Sequence, residues 1–176
     1  MLPRVVVLSL LALVARTRPP DPRDIVRETE RAVASGDTAA LSARARRDLS
    51  LDPANARALF AQATLERLAY RYVDASRDYD RLRASPASTG GRYRAFAALG
   101  EADIFFIAAR EAEAAAASGI ALQLGRATAD SSAQVLALVK LGILRLRKSP
   151  PEVALATFDS ATHVLPANDL ELRARV

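Results

Sequence analysis

Residues 138–166 read LVKLGILRLRKSPPEVALATFDSATHVLP, and their order of small and large apolar residues describes two helices folded against each other. Gly142 has no side chain, so a second helix can approach the first closely there. Ala154 and Phe158 then fill the contact as a small and large pair, with Ala161 one turn further on. Pro166 ends the unit at a point where no helical donor is needed. A hairpin of this kind leaves an apolar face uncovered, so the chain is expected to contain others that stack on it.

The same arrangement recurs upstream. After residue 25 comes a helical run, a turn at Gly36 and Asp37, and a second run carrying Leu41 and Ala45. The sequence LSLDP then closes the unit at Pro53. Ala75 and Tyr79 follow Leu41 and Ala45 by one interval of 34 residues, with Pro86 as terminator. A third unit begins near Tyr93. Its Leu99-Gly100 reads as a repeat of Leu141-Gly142, its Ala112 and Ala116 stand in for Ala154 and Phe158, and Gly125 replaces the proline. The interval from Ala112 to Ala154 is 42 residues, which places an insertion at residues 127–133.

On these residues the chain resembles the tetratricopeptide repeat (TPR) proteins, whose repeat is a helix-turn-helix with small residues at the helix contact and a closing proline. It departs from the pattern in having no tryptophan, and in placing Arg145 where the pattern has tyrosine. The resemblance implies an all-α, right-handed alpha solenoid of about four TPR-like units over residues 22–55, 56–89, 93–126 and 135–168. Residues 169–176 would begin a further unit or capping helix, so the chain reads as the N-terminal portion of a longer protein. It also implies that the first helix of each unit lines a concave groove. On that basis Arg57, Phe60, Thr64 and Arg67 of the second unit and Arg94, Glu101 and Phe105 of the third are the candidate partner-binding residues. Their guanidinium groups suit carboxylates, and their aromatic rings suit apolar side chains.

Composition agrees with close-packed helices. Aromatic residues make up 5% of the 176 positions and the chain is rich in alanine, which favours close helix approach over a β-sandwich. The net charge of +5 comes mainly from arginine, with only Lys140 and Lys148 as lysines. That balance matches a GC-rich coding sequence as well as it does an anionic partner. Residues 1–15, MLPRVVVLSLLALVA, hold an apolar run of about 17 Å as a helix, short of the roughly 30 Å of a bilayer core. They read as a signal peptide, giving an exported protein, or, if uncleaved, as an inner-membrane anchor. Residues 16–22 form a proline-rich linker, after which Asp24 is expected at or near the start of the first helix. Residues 85–91, SPASTGG, are expected to be an exposed loop.

No residue pattern points to catalysis, a cofactor or a metal. Without cysteine the chain has no thiol nucleophile, zinc-thiolate site or disulfide. The lone histidine, His163, falls in the last turn of a helix, where a partly exposed cation is favoured. The carboxylates Glu28, Glu30, Asp78, Asp80, Glu101, Asp103, Glu111 and Glu113 occur mostly two residues apart and so point to different helix faces. No phosphate-binding or dinucleotide fingerprint occurs. The expected function is therefore non-enzymatic, a scaffold that binds a protein or peptide partner. One alternative is a regulatory repeat region of a larger exported protein. Nucleic-acid binding through the arginine-rich face is the other, disfavoured by the interspersed acids.

Overall fold

The computed structural model describes residues 21–176, apart from the side chains of residues 87–90. The sequence reading of residues 1–15 as a signal peptide or anchor, and most of the linker reading, lie outside the described residues. The described residues form α1 (Pro22–Ser35), α2 (Ala39–Leu51), α3 (Ala56–Leu68), α4 (Tyr72–Ala84), α5 (Ala87–Ile107), α6 (Glu111–Ala127), α7 (Ser131–Lys148), α8 (Pro151–Val164) and α9 (Leu170–Arg173). There is no strand among them. From α2 to α8 each helix packs on the next in chain order. The odd-numbered helices also pack on one another, α1 on α3, α3 on α5, α5 on α7 and α7 on α9. The result is an all-α helical repeat of two layers, a continuous inner layer of odd helices and an outer layer of even ones.

The two layers are started by different local chemistry. The inner helices α1, α3, α7 and α9 carry side-chain N-caps: Asp21 to the Arg23 amide, Asn55 to Ala58, Asp130 to Ala133 and Asp169 to Leu172, at 3.0 to 3.1 Å. Each cap satisfies a donor that the first turn would leave unpaired. Asp21 and not Asp24 caps the first helix, while Asp24 adds an acid to its first turn. None of the outer helices α2, α4, α6 and α8 has a side-chain cap. Most are entered through tight turns from the preceding inner helix. Gly36 (φ 74°), Tyr70 (φ 62°) and Ala109 (φ 56°) take the left-handed conformation there, and Ala129 (φ 51°) repeats it before α7. In the last three, an amide after the turn donates back to the preceding helix, as Arg71 does to the Glu66 carbonyl at 2.8 Å.

Burial bears out the outer-helix pairs of the first, second and fourth units. Leu41 and Ala45, Ala75 and Tyr79, and Ala154 are buried, with Phe158 half-buried against α7. A Cβ placed on Gly142 would stand 2.6 Å from Phe158 Cε1, so the glycine does permit that approach. The third unit differs from its sequence reading. Ala112 and Ala116 are exposed, and α6 turns Ala114, Ser118 and Ala121 inward. The pair Leu99-Gly100 is therefore not equivalent to Leu141-Gly142. Gly100 faces back to α4, where a Cβ would stand 2.3 Å from Tyr79 Cζ. The difference is one of register: a slip of two residues rotates a helix face by about 200°.

Two other expectations change. No inserted loop separates the third and fourth units, because α6 and α7 are 17 and 18 residues long, against 13 for α2, α3 and α4, and absorb the extra length. Residues 85–91 are not a plain loop either. The chain leaves α4 at Ser85, turns helical again from Ala87, and breaks direction at Gly91 (φ 42°, ψ −128°) within α5. The core centres on the Phe60 ring, which meets Tyr93 at 5.7 Å, Tyr79 at 6.2 Å and Phe96 at 6.3 Å between centroids. Four of the chain's few aromatic residues are thus concentrated where α3, α4 and α5 meet, each pair adding about 0.5–1.5 kcal/mol beyond its buried area.

Candidate functional site

The inner helices enclose a cavity of about 440 Å³. Its wall follows one rule of helix geometry. Positions i, i+3, i+4 and i+7 share a face, and each inner helix offers that stripe. In α1 it is Arg23, Val26, Arg27 and Glu30. In α3 it is Phe60, Thr64 and Arg67, in α5 Phe96, Leu99, Gly100 and Asp103, and in α7 Leu136, Val139, Lys140 and Ile143. Glu171 and Arg175 complete the wall beside α1, and the Tyr79 ring of α4 reaches it over Gly100.

The polar side chains sit at the later stripe positions. Asp103 lies between two cations, with Oδ1 accepting from Lys140 Nζ and Oδ2 standing 3.6 Å from Arg67 Nη1. The Arg67 side chain is 15% exposed, and its Nε is buried without a hydrogen-bond partner. Tyr79 Oη lies 3.3 Å from Thr64 Oγ1, and the hydroxyl of Thr64 also donates to the Phe60 carbonyl at 2.7 Å. Burial pushes the Tyr79 phenol above its ordinary pKa, so it is a neutral wall group near neutrality.

One end of the inner layer is tied by the caps themselves. Asp21, Asp130 and Asp169 each cap a helix with one oxygen and accept from an arginine with the other. Arg23 bridges Asp21 (3.1 Å) to Asp169 (2.6 Å), and Arg92 bridges Asp130 to Asp21 (3.4 Å). Burial works against the charge on Asp21 and Asp169, but the hydrogen bonds they receive outweigh it and hold both carboxyls below the usual range. Arg27 pairs with Glu171 alongside. These bonds join residues 146 and 144 positions apart, bringing the first inner helix against the last.

The seven groove candidates separate into two sets. Phe60, Thr64 and Arg67 are on the cavity wall. Arg57 is exposed beside α1 and α2. Arg94 donates through Nε to the Arg83 carbonyl at 3.0 Å, Glu101 is buried against Arg83 at 2.8 Å, and Phe105 lies under the Arg110 guanidinium at 4.7 Å. The three α5 candidates therefore face the outer layer. Their choice rests on the resemblance, by which the first helix of a unit lines the groove, and α5 does line the cavity but with its 96, 99, 100 and 103 face. Burial, opposed by Arg83 and reinforced by Asp80, raises the Glu101 carboxyl to about 7. Sequence reasoning misses Asp103 and Lys140 as wall residues. Their signal is the stripe itself, since 96, 99, 100 and 103 recur 40 residues later as 136, 139, 140 and 143.

A smaller cavity of about 130 Å³ shares Asp103, Lys140 and Ile143 with the large one, and is otherwise lined by Phe106, Ala114, Ser118 and Leu144 among others. His163 is exposed on α8, with Nδ1 2.7 Å from the Asp159 carbonyl. Among the described residues no group of three His, Asp or Glu side chains could hold a metal, and no helix is long and apolar enough to cross a membrane. No protein-family model, curated protein or solved structure matches the chain.

Proposed function

We propose that this chain is a non-enzymatic binding module of the tetratricopeptide type, which holds a peptide or protein partner against its inner face. The observation that carries the reading is the convergence of five odd-numbered helices on one cavity, whose wall combines charged side chains, chiefly from α1 and α9, with apolar ones, chiefly from α5 and α7. A surface of that kind offers apolar contact and directional charge together, as peptide-recognition grooves do. Of the seven candidates Arg67 fits this reading by position, while Phe60 and Thr64 back the wall from within the core. Nucleic-acid binding gains little support, because several exposed arginines of the outer layer pair with neighbouring carboxylates, as in Arg77 with Asp74, Arg81 with Asp78 and Arg110 with Glu113. Export remains the reading of residues 1–15 and is part of the same proposal, with the partner outside the cytoplasm.

The test is a selection of displayed peptides on the full chain, followed by binding to variants. Val139 is half-buried on the wall, so Val139→Trp places an indole in the cavity. Peptides that bind the inner face are expected to lose at least tenfold in affinity to Val139→Trp and to keep it for Arg57→Ala. Peptides that ignore Val139→Trp would sink the proposal.

A further inference from the structure

We propose that the large cavity binds a small amphipathic monocarboxylate, with its carboxylate gripped by Arg67 and Lys140 and its apolar body held between α5 and α7. The volume of about 440 Å³ lies in the range that takes a compact organic ligand. Chemistry at its polar end is unbalanced. Asp103 is shared by Arg67 and Lys140, so within ion-pair distance two cations face one carboxylate at a half-buried place, with the exposed Glu30 of α1 acting on Arg67 from farther off. The sharing is unequal as well: Lys140 bonds Asp103 directly, while Arg67 stands 3.6 Å away, beyond a good hydrogen bond. A second carboxylate between Arg67 Nη and Lys140 Nζ would pair with both cations and give the guanidinium a close charged acceptor in addition to the Tyr79 hydroxyl and the distant Asp103 oxygen.

The rest of the wall selects what carries the carboxylate. Leu99, Leu136, Val139 and Ile143 run beside the two cations, and Ile143 is 40% exposed although it sits on a cavity wall. An apolar body lying there would remove that surface from water, at about 25 cal/mol for each Å² covered. Glu30, exposed at the end of the α1 stripe, sets the upper limit on ligand charge, since it and Asp103 together would repel a dianion. A cationic amphiphile would meet two cations, and an alcohol would leave Arg67 as it is. The preferred ligand is therefore a monoanion with an unbranched or ring-shaped apolar part, as in a medium-chain fatty acid. This inference goes beyond the macromolecular partner proposed above and needs none to be tested.

The experiment is titration calorimetry of the full chain with decanoate, held below its micelle concentration, beside decanol, decylammonium and inorganic phosphate. Saturable binding of one decanoate per chain is expected, with the three controls at least tenfold weaker. Lys140→Met should weaken decanoate at least tenfold and Lys140→Arg should recover most of it, while Val139→Trp should abolish it with an unchanged circular dichroism spectrum. No saturable binding of decanoate to the unaltered chain, equal binding of decanol, or full binding by Val139→Trp would each overturn the proposal. The first two need no variant, so they stand even if a substitution unfolds the chain. Failure here leaves the peptide selection untouched, and failure there leaves this titration untouched.

Discussion

Gly100→Ala should destabilise the protein although it adds one methyl group to a helix that ought to welcome it. In a helix interior alanine is better than glycine by about 0.8–1.0 kcal/mol. At position 100 the new Cβ would stand 2.3 Å from Tyr79 Cζ, 2.6 Å from Cε2 and 2.6 Å from the hydroxyl oxygen. An ordinary van der Waals contact begins at 3.4 Å, so the ring would have to withdraw by most of an ångström or more. The Tyr79 ring is 1% exposed, packed against Phe60 and bonded near Thr64, so it has nowhere to retreat without moving α4 from α5. Overpacking of this kind typically costs about 1–3 kcal/mol. Because the propensity gain offsets part of this cost, a net loss of about 1 kcal/mol, the middle of the difference, is expected. Gly119 provides the control: it lies in the middle of α6, a Cβ there would have nothing within 4 Å, and Gly119→Ala should stabilise by about 0.5–1 kcal/mol. Urea unfolding read by circular dichroism separates the two, with a midpoint lower by roughly 0.5–1 M for Gly100→Ala and higher for Gly119→Ala. Equal stabilisation by both substitutions would refute the account of Tyr79 as a ring wedged against a bare helix.

Ala109→Gly should raise stability by about 0.5–1 kcal/mol in the same assay, since Ala109 holds φ 56° where glycine is unstrained; a loss would mean that the turn stores no strain. Asp130→Ala removes both the cap on α7 and the partner of Arg92. It should lower the thermal midpoint by about 4–8 °C, for a loss of roughly 2 kcal/mol, whereas Thr38→Ala at the uncapped start of α2 should change it little. Glu101 is raised to about 7 because burial favours its protonated form. The folded state then holds a proton that the unfolded state has released, so this contribution is complete below about pH 4.5 and is lost as pH rises through 7. Relative to Glu101→Gln, the unaltered chain should lose on the order of 2 kcal/mol between about pH 4.5 and 8, and parallel stability curves would contradict the assignment. Glu66, also raised by burial, slopes the same way in both proteins and cancels in the difference.

The two-helix unit, its repetition and the ends of most helices can be read from residues that act locally. Gly36 supplies a left-handed turn, Asn55 and Asp169 cap helices, and Leu41, Ala45, Ala75 and Tyr79 repeat at one interval because α2, α3 and the two short turns that follow them make up about one repeat length. Register in the third unit cannot be read the same way. Residues 96–124 are almost uniformly helix-permissive and alanine-rich, and the charged and amide residues of α6, Glu111, Glu113, Gln123 and Arg126, sit near its ends, so they mark its outer face weakly. A single dipeptide, Leu99-Gly100, then sets the phase, and it misleads because glycine serves two different neighbours in this fold. Gly142 admits the ring of the outer helix that follows it, and Gly100 admits the ring of the one before. The α5 wall depends on that phase, which is why Asp103 is not legible as a wall residue, while Lys140 lies in the fourth unit, from which the sequence reading takes no groove residue. Contacts such as Arg23 with Asp169 link distant segments and leave no local trace in the sequence.

One position in each outer helix shapes how that helix meets the inner layer. It is occupied by Ala45 in α2, Tyr79 in α4, Ser118 in α6 and Phe158 in α8. Where it is aromatic, the inner helix it meets carries a glycine, Gly100 for Tyr79 and Gly142 for Phe158, and the ring fills the space a side chain would have taken. Where it is small, space remains. Ala45 borders the slight opening among α1, α2 and α3, and Ser118 borders the 130 Å³ cavity beside Phe106 and Leu144. Ser118 turns its hydroxyl back to the Ala114 carbonyl at 2.8 Å, so the space beside it is left to apolar neighbours and to the Asp103 and Lys140 pair. Side-chain volume at this one position thus sets whether a ring or a space lies against the inner helix, and the space beside Ser118 joins the main cavity at Asp103, Lys140 and Ile143.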